Sequence, residues 1–539
     1  MDRFLLCLLA ACSTPTDTTD SSLGLDATTR DVSDATRDVP SDVAGDHATD
    51  ASATRRQPDI VVVMADDLDE GTLQDVERRG YMPHLAALRE AGTSFESSFV
   101  TLSLCCPSRA SFLTGRYPHN TGVLSNVMPE GSVEAFDDRD TLATWLTAAG
   151  YHTSHVGKYL NRYGRHGTEG VGALRSQYVP PGWSDWQVTI DPTTYSFYDY
   201  SINDNGTIVT YGGPPGVPGG SAANYQTDVL ADRAVSVIER TPADQPLFLV
   251  ITPLAVHLEA AEEDEKAREL VRPAPRHAWI LDEPLDIPRG PAFDEADVSD
   301  KSRVIQQTDR LTPEVVAYLG ELYRGRAGSL LAVDDLIGAV RDALTERGRI
   351  DDAILVFTSD NGWLYGEHRV EHKRFPYEES IRVPLVIADF RAPRTTEVAS
   401  SLALNIDLAP TIAEWAGAST PEVDGRSLTP LLRDAVPENW RRRFFVRGPA
   451  HSRVHFLGVR TADTDSVPNS IYVQYQERCN MRCEEMYRLD DDPFQLDSVH
   501  RRDPDRSLLG EWVARLQDCR GEWCLAYESC ASPFECQLE

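Results

Sequence analysis

Three short stretches of the 539-residue chain hold residue types that could do chemistry together. The first is Cys105-Cys106-Pro107-Ser108-Arg109-Ala110-Ser111-Phe112-Leu113-Thr114-Gly115, a cysteine pair opening a predicted helix. Read alone, the pair is two small buried hydrophobes, because free cysteine packs as one. Arg109 stands one turn from Cys105, so its guanidinium can reach back towards that residue, and a helix N-terminus also favours negative charge. The second and third stretches are Asp66-Asp67, after the apolar residues 60–64, and Asp360-Asn361-Gly362, after residues 354–358. Three carboxylates and one amide oxygen at two strand ends make an all-oxygen cage. Such a cage suits Ca²⁺, or Mg²⁺ if it is small and octahedral. Neither pair contains a histidine or cysteine, which argues against zinc. Each pair alone also has a plain structural reading: Asp-Asp as a helix N-cap, Asp-Asn-Gly as a turn.

These residues need strands to present them. Residues 59–65, 246–252, 353–358 and 383–388 are near-continuous apolar runs, the pattern of parallel strands covered on both faces. Helical patterns alternate with them at 142–149, 228–240 and 313–347, the last with an expected break near Gly328. That alternation predicts an α/β domain over 56–435 with a largely parallel central sheet. Ligands in such sheets sit at the carboxyl ends of strands, where both acidic pairs fall. A smaller α+β subdomain is expected over 436–539, with short strands at 444–446, 454–459 and 471–475 and a helix at 508–516. It carries Cys479, Cys483, Cys519, Cys524, Cys530 and Cys536. Six cysteines there suggest disulfides, with fifteen connectivities open. Their loose spacing and the lack of an interleaved histidine fit zinc poorly.

The formal net charge of −33 repels polyanions at long range, which excludes nucleic acid as a partner and requires a local cationic pocket for any anionic substrate. At the N-terminus, Arg3 precedes an apolar stretch from Phe4 to Ala11, too short to span a bilayer as a helix. Residues 1–12 end in Leu9-Ala10-Ala11-Cys12 and resemble a bacterial lipoprotein signal, which implies lipidation of Cys12. The alternative is an ordinary secretory signal cleaved near Ala11. Residues 13–55 are Ser, Thr, Asp, Ala and Val with little else and no Phe, Tyr or Trp, and read as a disordered acidic tether. Together these segments predict an exported protein of the bacterial cell envelope, held to the membrane by a lipid anchor.

The run from Cys105 to Gly115 matches C-x-P-S-R-x-x-x-L-T-G at all seven fixed positions, and so resembles the signature of the type I sulfatases. Register singles out Cys105, two residues before Pro107; Cys106 fills a free position. The resemblance implies an alkaline-phosphatase-like sandwich. It also implies that a maturation enzyme oxidises Cys105 to formylglycine, whose hydrate is the nucleophile. Asp66, Asp67, Asp360 and Asn361 then correspond to the family's metal ligands, usually for calcium. Lys158, in the stretch from Tyr151 to Asn161, corresponds to the lysine of a second family signature. His257 and Lys373 occupy the family's histidine and lysine positions, and with Arg109 they would converge on sulfate. In the implied mechanism one hydroxyl of the hydrate attacks sulfur while His257 protonates the leaving alkoxide. The second hydroxyl then expels sulfate. A serine lacks that second hydroxyl. Many relatives read Gly-Lys-Trp-His where this chain has Gly157-Lys158-Tyr159-Leu160, which leaves the closing step without an assigned base; Asn161, His155 and His368 are unplaced candidates.

Gly157-Lys158-Tyr159-Leu160-Asn161, Pro180-Pro181-Gly182-Trp183 and the stretch from Leu404 to Thr411 resemble the branch of N-acetylglucosamine-6-sulfatases and extracellular heparan 6-O-endosulfatases. That resemblance covers residues 57–498 and implies a sulfated sugar as substrate, of the 6-O-sulfated N-acetylhexosamine type. Two rivals stand beside it. One is a phosphate or phosphonate monoester hydrolase on the same scaffold. The other is a non-catalytic, glycan-binding surface lipoprotein in which Cys105 stays a thiol.

Overall fold

The computed structural model describes residues 57–212, 221–259, 271–476, 483–534 and 536. The expected signal segment, the tether, Cys12 and Cys479 lie outside them.

Ten strands form one sheet: β1 (Asp59–Ala65), β2 (Thr93–Phe95), β3 (His152–Gly157), β4 (Asp185–Thr189), β5 (Tyr200–Asp204), β6 (Thr207–Tyr211), β7 (Leu247–Thr252), β8 (Ala353–Ser359), β9 (Leu385–Asp389) and β10 (Val398–Ala399). Their order is β10-β2-β9-β8-β1-β7-β3-β4-β5-β6. The middle five, β8-β1-β7-β3-β4, are all parallel. The alternate side chains of β1 serve two cores. Val61, Val63 and Ala65 join one, and Ile60, Val62 and Met64 the other. This two-sided burial is why the run is apolar at every position rather than at every second one. The expected α/β architecture with a largely parallel central sheet is therefore present.

Two local expectations are corrected. The run at 383–388 forms β9, which pairs antiparallel with both β8 and β2. Burial on both faces makes an antiparallel strand within a sheet read like a parallel one. The helix Pro313–Glu346 is continuous through Gly328. A Cβ on Gly328 would lie 2.6 Å from Ile280 and 2.7 Å from Pro273, so this glycine permits close packing and does not break the helix.

A second sheet is an antiparallel meander of β11 (Arg443–Arg447), β12 (Phe456–Thr461), β13 (Ser470–Tyr475) and β14 (Cys483–Arg488). Helices Arg506–Leu516 and Glu522–Ser529 follow. Cys519 is bonded to Cys524 and Cys530 to Cys536. The strand β14 was not apparent in the sequence because Glu484-Glu485 interrupts its apolar pattern. Glu485 is nonetheless buried, accepting hydrogen bonds from the hydroxyls of Tyr377 and Tyr487 and from the Ser302 amide. The core under this sheet includes Phe99, Tyr117, Tyr377 and Ile381 from earlier in the chain. No helix among the described residues is long and apolar enough to cross a membrane.

Candidate active site

Strands β1 and β8 are parallel neighbours in register, with Ala65 opposite Ser359. The residues that follow them, Asp66-Asp67 and Asp360-Asn361, therefore emerge side by side at the carboxyl edge of the sheet. All four are buried. The Asp67 amide donates to Asp360 Oδ1 at 3.0 Å, and Asn361 Nδ2 donates to Asp67 Oδ1 at 2.7 Å. Asp67 has a left-handed backbone, φ 65°. Arg326, fully buried on the long helix, supports that turn by donating to the carbonyls of Asp67 and Val256 and to the Tyr365 hydroxyl. Nothing in the local sequence around Arg326 signalled this role, because it acts across 259 residues of chain.

Cys105 is the first residue of the helix Cys105–Thr114 and is 1% exposed. Its Sγ lies 3.6 Å from Asp66 Oδ1 and 3.8 Å from Asp67 Oδ1, and accepts from Lys373 Nζ at 2.9 Å. Burial pushes its thiol up to about 12, a rise that Lys158 and Lys373 only partly offset. An unmodified Cys105 is thus a protonated thiol at neutral pH and a poor nucleophile. Arg109 Nε donates to Asp360 Oδ2 at 2.7 Å, and its Nη1 to the Lys158 carbonyl at 2.9 Å. Lys158 Nζ pairs with Asp66, and Lys373 Nζ with Asp67. Burial alone would favour neutral lysines, but the adjacent carboxylates keep both charged. For Asp66 burial acts upward, yet Lys158, His257, Arg109 and Lys373 together hold it well below the usual carboxylate range. Asp360 is raised, by burial and then by the charge of Asp66.

Two buried acceptors in this cluster, Asp67 Oδ2 and Asn361 Oδ1, have no hydrogen-bond partner. Both belong to the oxygen set that the sequence proposed for a cation. Donor atoms of Asp66, Asp67, Cys105 and His257 also lie within 4.8 Å of one another. Unpartnered oxygens beside crowded carboxylates fit a hard divalent cation. The other cysteine-containing cluster, His119 with Cys519 and Cys524, does not fit one, since those cysteines are disulfide-bonded.

His257 borders the acidic pair. Its Nδ1 donates to the Leu258 carbonyl at 2.7 Å, and its Nε2 faces Asp67 Oδ2 at 3.5 Å. Burial lowers this imidazole to about 4. The three unplaced candidates separate clearly. His155 sits below Lys158, with Nε2 near the Lys158 carbonyl and Thr252 Oγ1 and its ring among Tyr159, Trp183 and Trp186. His368 is bonded to Glu295 at 2.6 Å and stacked on Tyr377. Asn161 is the one tied to the site: its Nδ2 donates at 2.6 Å to the hydroxyl of Tyr195. The Tyr195 ring in turn lies 4.8 Å from Lys158 Nζ and 5.1 Å from the His257 ring. Sequence reasoning missed Tyr195, which sits in a short turn with no motif around it. Leu160 is packed into the core on the Cys106 side of the sheet. Cys106 is likewise fully buried there.

Above the cluster opens a cavity of about 890 Å³. Asp67, His257 and Lys373 form part of its floor, and residues 125–130, 371–375 and 449–454 contribute its walls. The last of these segments comes from the region of the second sheet. No pattern in the sequence pointed to it.

Residues 58–418 match the family described as Sulfatase, and residues 366–522 match the C-terminal region of N-sulphoglucosamine sulphohydrolase. The extracellular sulfatase SULF-1 homolog of Drosophila melanogaster is 32% identical over 410 residues. That match takes in 73% of this chain but only 33% of the fly protein. Human N-acetylglucosamine-6-sulfatase is 31% identical, covering 88% of this chain and 87% of its own. Among solved structures, BT4656 in complex with its substrate D-glucosamine-2-N,6-O-disulfate aligns with a TM-score of 0.65 at 22% identity, covering 86% of this chain and 98% of that one. Phosphonate monoester hydrolase of Agrobacterium radiobacter aligns with a TM-score of 0.62 at 20% identity, covering 85% and 95%. At such identities these two structures establish the shared alkaline-phosphatase-like fold. With a family match over two thirds of its length and relatives aligned nearly end to end, the chain belongs to the sulfatase family and is a sulfuric ester hydrolase.

Proposed function

We propose that this sulfatase removes sulfate from a sulfated sugar of the 6-O-sulfated N-acetylhexosamine type, using formylglycine made from Cys105 and a calcium ion. The observation that supports it most is the placement of Cys105: buried at a helix N-terminus, against Asp66 and Asp67, with Lys373 on its sulfur. Asp66, Asp67, Asp360 and Asn361 would hold the calcium. Formylglycine supplies a two-hydroxyl nucleophile, and the ion supplies Lewis-acid polarisation.

The chain's own residues account for the remaining work. Lys158 and Lys373 are held charged by carboxylates that the ion would also engage, so they stand ready to meet an incoming sulfate. Arg109, tied to Asp360 and to the Lys158 backbone, keeps the helix and the metal pair in fixed relation. His257 moves a proton at Nε2, because Nδ1–H is committed to the Leu258 carbonyl. Tyr195 positions Lys158 and His257 through its ring face. Residues 1–12 act as a lipoprotein signal, Cys12 carries the lipid and 13–55 form the tether, while 56–435 and 436–539 divide the folded chain. The sugar reading draws on the relatives named N-acetylglucosamine-6-sulfatase.

Mass spectrometry of the Cys105 peptide from the native host tests the nucleophile, and sulfate release from N-acetylglucosamine 6-sulfate tests the substrate. An unmodified thiol in active enzyme would overturn the first. Faster turnover of an aryl phosphate than of the aryl sulfate would favour the phosphoester rival.

A further inference from the structure

Two guanidinium groups border the cavity without serving the reaction centre. Arg374 and Arg453 both line it and both are exposed. Among the described residues neither has an ion pair or a side-chain hydrogen bond. The chain has 85 acidic residues against 52 basic ones, and other exposed arginines such as Arg139, Arg289 and Arg502 do meet a carboxylate. The backbone at this wall is also unusual. His372 and Arg374 have φ of 74° and 90°, left-handed values for residues that are not glycine. Such conformations are disfavoured and persist where the surroundings impose them. Here they turn Lys373 inward to Asp67 and Cys105 and leave Arg374 at the mouth. Arg453 stands on the 449–454 segment, where the neighbouring His451 already faces Glu130 at 3.0 Å.

We propose that Arg374 and Arg453 form a second anion subsite at the cavity mouth. It takes a sulfate or carboxylate carried by the same saccharide whose sulfate ester is cleaved. This rests on the sulfated-sugar reading above. The planar guanidinium fork matches both anions bidentately, as a lysine cannot. A cavity of about 890 Å³ lies at the upper end of the range for small-molecule sites, which leaves room for groups beyond the reacting one. A chain of charge −33 repels a doubly charged sugar at a distance, so local unpaired cations at the mouth are what would retain it.

The test uses the calcium-loaded full chain with Cys105→Ala, titrated calorimetrically with three probes. These are N-acetylglucosamine 6-sulfate, glucosamine 2-N,6-O-disulfate, and a disaccharide joining N-acetylglucosamine 6-sulfate to a uronate. The expected result is that at least one probe with two anions binds about tenfold tighter than the monosulfate. Arg374→Ala and Arg453→Ala should each cut that preference several-fold and together abolish it. Comparing the disulfate with the uronate shows which anion the subsite takes. Equal affinity for all three probes, no binding of any, or variants that weaken every probe by the same factor would overturn the proposal. Unchanged melting temperatures, with unchanged affinity of both alanine variants for the monosulfate, exclude misfolding. Failure of the underlying reading looks different: the matured wild-type enzyme would release no sulfate from any probe.

Discussion

The carboxylates beside Cys105 and those joined by Arg441 are equally buried, yet they are completed by different partners. Asp407 and Glu528 are both fully buried. Arg441 grips Asp407 through both terminal nitrogens and reaches Glu528 with Nε at 2.8 Å. Backbone amides of Leu404 and Arg426 add to Asp407, while Arg426 and the Tyr117 hydroxyl add to Glu528. Every oxygen of Asp407 and Glu528 has a donor, and the unmatched atom among their partners is itself a donor, Arg426 Nε. The Arg426 guanidinium lies over Trp440. At the reaction centre the partners are chiefly lysines, and the unmatched set includes the acceptors Asp67 Oδ2 and Asn361 Oδ1. A structural cluster satisfies its carboxylates with rigid arginine forks. The cluster proposed to take a cation and then an anion keeps oxygens in reserve and uses point charges that can change partner.

Four experiments press on that contrast. Cys105→Ser should reduce multiple turnover by on the order of 10⁴-fold or more, because one hydroxyl cannot do the work of two. Full turnover of that variant by sulfate-release assay would sink the scheme. Chelation should come next, lowering activity by roughly 10³-fold through loss of Lewis-acid stabilisation, with calcium restoring it. At saturating calcium the melting free energy should rise by about 2.7 kcal/mol at a hundredfold excess over Kd. A calorimetric scan insensitive to calcium would break the comparison at the cation site.

Arg441→Met should instead act on stability. Leaving Asp407 and Glu528 buried without their shared cation costs about 3–5 kcal/mol, read by denaturant unfolding, while kcat per folded molecule stays near wild type. A large fall in kcat with unchanged stability would show that the two clusters are coupled. The smallest effect is expected from Glu485→Gln. Burial pushes Glu485 up to about 7, above its unfolded value of about 4.5. Its contribution is therefore fully present below pH 4.5 and is lost as pH rises through 7, by up to about 3 kcal/mol. Wild-type stability should decline over that window and the glutamine variant should decline less. Parallel profiles would place the titration elsewhere.

Much of the site was legible because its parts sit at strand ends and in short motifs. Asp66-Asp67 and Asp360-Asn361 follow apolar runs that became β1 and β8, and the register of those neighbours brings the pairs together. Cys105 and Arg109 share one helix, so their spacing is local. What escaped was non-local. Arg326 supports Asp67 from the middle of an apparently ordinary amphipathic helix, and Tyr195 lies in a turn without a pattern. The strand β14 was hidden because its buried Glu485 is satisfied by tyrosine hydroxyls far away in the chain. Burial on both faces likewise concealed the direction of β9.

The sequence by itself determined which atoms are available: a cysteine in a fixed register, hard oxygen ligands, a set of cations, and alternating elements that must form a covered sheet. Those are matters of residue type and short-range periodicity. Only the tertiary structure decided which of the histidines and asparagines faces the centre, that Leu160 points into the core, that two acceptor oxygens lack partners, and that Arg374 and Arg453 share one cavity. Each of those depends on side chains from distant segments meeting in a low-dielectric interior, where pairing and desolvation, not spacing along the chain, set the outcome.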